Sequence, residues 1–426
     1  MTIRDKYFGW KDIFFGRFVH CCNEKSDQPQ GSNIPLAKIN FDNKTGYVED
    51  GTINIAELLQ YLWINNKVYG CEYAPIDISS VLQTLIRLTE NAKHMFEDQP
   101  GIYDMIPYRG FFLRDDFSSG KDYSLDLDKI VSGMGGWYGE DEDPCYSMFV
   151  SQDQIWNLNP ILKVLADEGS ILAKELGYDM NSYVSDNGYT IYNPYLSWIN
   201  HYYHYCPTFN EDKLKPWDRV EDRKNKFKMT DKVKRGANNW YYSGGTISCV
   251  DSFLGKKYRK NLRTFIYRGI VFFLDRIWHT PLFEKMGVKM KYNAYYCYAA
   301  TSGIWYNKGF KKRLAKRFNE SLRSGGELFG ANLACMVCDR RDIDWGALRL
   351  WLDKYDDPTD KGMVNSPIQF MYLYLYYTFK KLSSIFWKKV EVSCFIFLHF
   401  LSFILQLFSL FSLFYNFRHL FQIYIH

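Results

Sequence analysis

The chain has 426 residues, a net charge of +5 and a charged fraction of 24%. That length supports a large core in one big domain or two ordinary ones, and so small a charge spread over it excludes an electrostatic case for DNA or RNA binding. The compositional outlier is aromatic content, 18%, with 34 Tyr, 32 Phe and 12 Trp; Tyr and Trp suit a wet, sugar-stacking groove as well as a core.

The first twenty residues interleave charges with aromatics and hold no apolar core, so they do not read as a signal peptide, and the chain is expected to start in the cytoplasm. Asn54 to Glu57 has the spacing of a capping box ahead of an apolar helix through Trp63. Asp77 can cap a second helix with Val81, Leu85, Leu88 and Ala92 on one face, which predicts an antiparallel helix pair. Between Gly101 and Gly139 the helical pattern breaks, with a short extended run over Gly110 to Asp116 and Gly- and Ser-rich turns after it. Four acids, Glu140 to Asp143, close that region. A second capping box, Ser151-Gln152-Asp153-Gln154, opens a long helix with Ile155, Leu158, Leu162 and Leu165 on one stripe. Pro160 is expected to kink it, and Gly177 to stop the helical stretch that follows. Asp186-Asn187-Gly188 reads as a turn before an aromatic helix around Tyr195 to Tyr205. Residues 206–245 form a long basic connection ending in Asn and aromatic residues, and connections of such length are functional or disordered. Further helices are predicted at 258–278, 291–301, 308–323, 327–338, 342–354 and 366–383. Strand-like runs are few and isolated. The predicted fold is therefore all-α: antiparallel helix pairs stacked over 1–383, with long loops gathered on one face.

Three acids stand out as catalytic candidates. Asp153 lies at a helix N-terminus, where the helix dipole favours the charged form, and Asp115 and Asp116 follow Arg114, so the environments of these acids differ. Glycoside hydrolysis needs such a difference, one carboxyl protonated and one ionised. Arg114, Gln154, Trp156, Asn157, Tyr189, Tyr192, Asn239, Trp240 and Tyr242 offer ring faces for stacking and amides or a guanidinium for hydroxyl recognition, a composition closer to a sugar groove than to a lipid or nucleotide site.

Other motifs point nowhere specific. Cys335 and Cys338 have ligand-like spacing without a second pair, and read as two buried thiols. The ten cysteines show no repeated spacing, unlike a secreted disulfide scaffold. His201 and His204 lack a third ligand, and Gly244-Gly245 and Gly325-Gly326 lack the strand and Lys of a phosphate loop. No metal or other cofactor is expected. The basic helix from Lys311 to Arg317 carries a stripe through Phe310, Leu314 and Phe318 and reads as a solvated outer helix.

Aromatic-rich helix pairs, Arg114-Asp115-Asp116 and the Ser151 to Gln154 helix entry together resemble the (α/α) toroid proteins that include glycoside hydrolases and unsaturated-glucuronyl hydrolases. The resemblance covers about 100–300. It implies a toroid, with a polar helix entry at the sugar site mapping onto Ser151, Asp153 and Gln154; a second acid at a matching helix entry is missing. Two functions follow as expectations: a carbohydrate-active enzyme using Asp153 with Asp115 or Asp116 on a glycan, or a non-catalytic, membrane-attached binding or assembly protein.

The second of these draws on the C-terminus. Val392 to Phe417 contains no Asp, Glu, Lys or Arg, and at 26 residues exceeds the roughly 20 apolar residues a bilayer span requires. Lys380, Lys381, Lys388 and Lys389 precede it, so as a single span it would leave the body cytoplasmic. Residues 384–426 are thus set apart as a hydrophobic tail. From Lys381 onward the tail also lacks Ala, Gly, Pro, Thr, Met and Asp, a skew equally expected of a shifted reading frame, in which case the body would be soluble and cytoplasmic.

Overall fold

The computed structural model describes residues 1–19, 33–48, 50–70, 73–97, 110, 112–113, 125–131, 137–138, 152–186, 253–255, 308–324, 335–336 and 338–380. The chain divides into two units, Met1–Leu375 and Tyr376–His426. In the second, the described residues 376–380 are helical. The stretch 392–417 lies outside the described residues, and among those described no helix is long and apolar enough to cross a membrane.

The first unit opens with α1 (Ile3–Ile13). A capping box starts it: the Asp5 amide donates to Thr2 Oγ1 at 3.2 Å and the Thr2 amide to Asp5 Oδ2 at 3.1 Å, so two orphan donors of the first turn are satisfied. The helix runs directly into a π-helical turn, Phe14–Phe18, whose Phe14 and Phe18 are buried.

The next helix, α2 (Gly51–Val68), is buried on nearly every side, through Ile53, Ile55, Ala56, Leu58, Leu59, Tyr61, Leu62 and Ile64. A helix apolar all round belongs at the centre of a core. It begins three residues before the expected cap. Asn54 lies inside the helix, and its amide donates to the carbonyls of Pro35 at 3.0 Å and Val48 at 2.9 Å. The predicted capping box gives way because those buried carbonyls need a donor, and Asn54 supplies one to both. In α3 (Ile78–Glu97), the Asp77 cap forms as expected, the Ser80 amide donating to Asp77 Oδ1 at 2.7 Å, and Val81, Leu85 and Leu88 are buried. α3 packs on α2.

The helix expected after Ser151 is α4 (Gln152–Asp167), with Ile155, Leu158, Leu162 and Leu165 all buried. Pro160 sits within it without ending it. It stops at Gly169, whose φ of +102° only glycine adopts cheaply. The Gly169 amide donates to the Ala166 carbonyl at 3.1 Å and the Ser170 amide to the Leu165 carbonyl at 2.9 Å, the paired bonds of a Schellman ending. Ser170 Oγ then accepts from the Ala173 amide at 3.3 Å and so caps α5 (Ile171–Asp186). Gly177, expected to end a helix, is interior to α5: the Phe253 ring fills the space a side chain would need. Close approach, not left-handed backbone, explains that glycine. Asn159 of α4 and Asn181 of α5 exchange amide hydrogen bonds at 3.0 and 2.7 Å, fixing the register of the pair inside the core.

Later in the chain, α6 (Lys308–Ser324) and α7 (Trp345–Lys354) form another packed pair. In α6, Ala315, Phe318 and Leu322 are buried on a basic helix. Asn319 links the two by accepting from the Asp344 amide and donating to the Asp342 carbonyl, both at 2.8 Å. Asp344 caps α7, and that bond from the Ala347 amide, with Arg323 beside it, holds its carboxyl below the usual range. Helix α8 spans 368–380. The helices predicted at 258–278 and 291–301 lie outside the described residues, as does nearly all of 327–338.

The all-α expectation is corrected by a five-stranded mixed sheet of order β4-β3-β2-β1-β5. Its strands are β1 (Lys38–Asn40), β2 (Thr45–Tyr47), β3 (Lys129–Val131), β4 (Trp137–Tyr138) and β5 (Met363–Asn365). β1 pairs antiparallel with β2 and β5, β2 parallel with β3, and β3 antiparallel with β4. None exceeds three residues, too short for a period of two to register, and β1 pairs with a strand more than three hundred positions later. Only tertiary contact creates this sheet.

Gly110 joins the loop region to the hairpin α4–α5. Its φ is +84°, and a Cβ there would collide with the Asp179 carbonyl and lie 2.8 Å from Met180 Cα. Gly110→Ala should therefore cost about 2–5 kcal/mol in denaturant unfolding, combining left-handed strain with overpacking. Gly169→Ala, where nothing lies within 4 Å, should cost only about 1–2 kcal/mol.

Candidate functional site

Of the three candidate acids, Asp153 falls in the first turn of α4, the second residue of that helix. Asp115 and Asp116 lie outside the described residues, together with Arg114, Tyr189, Tyr192, Asn239, Trp240 and Tyr242. Trp156 is one turn into α4. Gln154 and Asn157 are interior, 0% and 6% exposed. These two amides are packed within the helical core.

Immediately before Arg114-Asp115-Asp116 the described chain is fixed in place. Phe112 and Leu113 are buried, and the Leu113 amide donates to the Leu88 carbonyl of α3 at 3.2 Å. Three residues earlier Gly110 lies against α5 at Asp179. Downstream the chain is tethered again where β3 joins β2. On the other side, α2 and α4 share their C-terminal ends: Trp63 Nε1 donates to both Glu168 carboxylate oxygens at 3.1 Å, and Lys67 Nζ pairs with Glu168 at 2.9 Å.

Glu57 was read from sequence as no more than a helix-cap partner. It sits mid-way along α2, part-buried, and burial pushes its carboxyl up to about 7. Four residues on, the same face carries Tyr61, whose hydroxyl lies 3.0 Å from that of Tyr7, and burial raises both phenols above their ordinary range. No sequence signal marks Glu57, because its shift comes from burial in the folded unit. Cys335 and Cys338 are buried thiols outside any disulfide, as expected; burial, with the Cys338 charge second, raises the Cys335 thiol well above its usual range. Among the described residues no group of three or more His, Cys, Asp or Glu could hold a metal.

A pocket of about 140 Å³ opens beside the sheet, lined by Arg17, Ile39, Phe41, Lys44, Leu125, Asp126, Leu127 and Asp360. Across it Lys44 Nζ pairs with Asp126 Oδ1 at 2.9 Å, and Arg17 Nη1 stands 3.6 Å from Asp126 Oδ2. The Lys44 hydrogen bond, then its charge, hold the Asp126 carboxyl below its usual range; the reciprocal bond raises Lys44. Asp126 therefore stays ionised at neutral pH. None of these residues belonged to the sequence-derived set, and their positions at 17, 44, 126 and 360 carry no common motif.

Glu57 makes stability depend on pH. Its folded pKa of about 7 exceeds the ordinary 4.5, so the folded state holds the proton more tightly than the unfolded chain. That contribution is complete below about pH 4.5 and is lost as pH rises towards and through about 7. Glu57→Gln should unfold at higher denaturant than the parent at pH 8, by about 1–3 kcal/mol, with the difference shrinking at pH 5. Equal midpoints at both pH values would show that Glu57 ionises freely in the fold. No family model matches the chain, and neither curated proteins nor solved structures show significant similarity to it.

Proposed function

We propose that the chain is a carbohydrate-active protein of toroid type that hydrolyses a glycan with Asp153 and one of Asp115 or Asp116 as its carboxylate pair. The observation that carries the reading is the start of α4 at Gln152, which puts Asp153 in the first turn, the end of a helix where an acidic residue is generally favoured. Chain geometry is compatible with a pair. Asp115 follows Gly110, anchored at Asp179, by five residues, a reach of at most about 18 Å. Asp153 precedes Asn159, which is locked to Asn181, by six residues, about 9 Å along the helix. Trp156, Tyr189, Tyr192, Asn239, Trp240 and Tyr242 would line the groove, with Arg114 beside the acids.

The ring architecture has its own support. Successive hairpins α2–α3, α4–α5 and α6–α7 pack as pairs, α2 also meets α4, and α1 meets the residues around Tyr355 and Tyr374. The contact between α1 and the 353–374 segment joins residues far apart in sequence, which is compatible with a closed arrangement of helix pairs.

A second, non-catalytic reading is favoured by the burial of Gln154 and Asn157, which serve the core. In that reading the protein holds a glycan or a partner without turnover, and the 392–417 stretch, if it is native, anchors it to a membrane with the body in the cytoplasm.

A panel of polysaccharides and unsaturated glucuronides assayed for new reducing ends separates the two. For the hydrolase, Asp153→Asn should lower kcat by about 10²-fold or more while leaving the unfolding midpoint nearly unchanged. Full activity in Asp153→Asn removes that residue from the mechanism; glycan binding without any product supports the second reading.

A further inference from the structure

The pocket beside the sheet is built from three unusual pieces of backbone. Arg17 is delivered by the π-helical turn Phe14–Phe18, a rare conformation that recurs at functional sites. Lys44 and Asp126, the ion pair across it, have φ of 48° and 52°, in the left-handed region that side-chain-bearing residues seldom occupy. The described chain holds three non-glycine residues with positive φ, and two of them meet here. Strain of this kind costs stability and is held only where the surroundings fix it. Here they do: the Asp128 amide donates to the Lys44 carbonyl at 2.8 Å, the Phe41 amide to the Gly362 carbonyl at 2.9 Å, and the Gly362 amide to Asp42 Oδ1 at 3.0 Å. Three separate segments are thereby pinned around one cavity.

The lining sets the chemistry of the occupant. Arg17 and Lys44 balance Asp126 and Asp360, so the wall is neutral overall and offers both donors and acceptors. Phe41, Ile39, Leu125 and Leu127 supply an apolar side. A ligand with a net charge gains from one half of the charged set and is repelled by the other. A polyol gains from both, because each hydroxyl donates to a carboxylate while accepting from an ammonium or guanidinium. A ring with one apolar face matches the aromatic wall, and a pocket of about 140 Å³ that is open on one side seats part of a single pyranose while the rest stays in water. We propose that this pocket is an accessory binding site for one neutral hexose unit, separate from the site at Asp153 and made of different residues.

Saturation-transfer NMR on the full chain with glucose, galactose and mannose tests this, with glucuronate and inorganic phosphate as charged competitors. At least one hexose should give a signal with a Kd of about 1 mM or weaker. Lys44→Gly removes the pairing ammonium and at the same time relieves the positive φ, so it should fold with an unchanged or raised midpoint while the hexose signal falls at least about tenfold. Asp360→Asn should weaken the signal, and Asp153→Asn should leave it intact. Absence of signal for all three hexoses overturns the proposal. So does a hexose signal that survives Lys44→Gly but disappears in Trp156→Ala, which would belong to the α4 groove. Displacement by phosphate or glucuronate at equal concentration also overturns it and marks an anion site at Arg17 and Lys44.

Discussion

The architecture of the first unit rests on the junction between α1 and the segment from Asp353 to Tyr374. Lys6 Nζ, largely buried, donates to the carbonyls of Asp353 at 2.9 Å and Tyr355 at 2.5 Å and pairs with Asp357 at 3.1 Å. Trp10 Nε1 donates to the Asp356 carbonyl at 2.9 Å, and Tyr7 stacks on Tyr374 with ring centroids 4.4 Å apart. Gly9 admits Pro358 at a distance that a side chain could not accept, 2.8 Å from where Cβ would stand. A lysine ammonium is satisfied here by carbonyls nearly 350 positions away, so the contact must outweigh the closure entropy of almost the whole unit. It does so by burying aromatic area and pairing a charge at once.

That junction explains the sheet. Once α1 lies against the 353–375 segment, β1 and β5 are neighbours, and β1, three residues long and without independent stability, gains a partner on each side. The sheet in turn carries the 125–131 segment, because β3 adds to β2 in parallel. The described residues on either side of 114–124 are consequently fixed, Gly110 and Leu113 by α5 and α3 and the 125–131 segment by β2. Loops placed by a rigid frame are where recognition residues concentrate. The same frame creates the Arg17, Lys44, Asp126 and Asp360 pocket, whose residues meet only because helix, hairpin, strand and late turn converge.

Electrostatics divide the charged residues by surroundings. Asp126 and Asp344 are anchored as anions by donors beside them, whereas Glu57 is enclosed on α2 with desolvation alone acting on it. A carboxyl poised near neutrality and others held ionised are the two states that acid–base chemistry draws on. They lie on different elements, so proximity rather than pKa decides which of them could work together.

Local chemistry was legible in the sequence wherever an element is long and its period repeats. The stripe of Ile155, Leu158, Leu162 and Leu165, the Asp77 cap and the helix entry before Asp153 all depend on neighbours within a few turns, and all are written in residue order. Asn54 and Gly177 show where that reading fails. Each has the residue type of a helix boundary, yet each serves a contact with another segment: the carbonyls of Pro35 and Val48 in one case, the Phe253 ring in the other. The strands, the raised carboxyl of Glu57 and the pocket were decided by tertiary structure alone. Their causes are pairing, desolvation and convergence between residues tens to hundreds of positions apart, and a one-dimensional pattern holds no record of such distances.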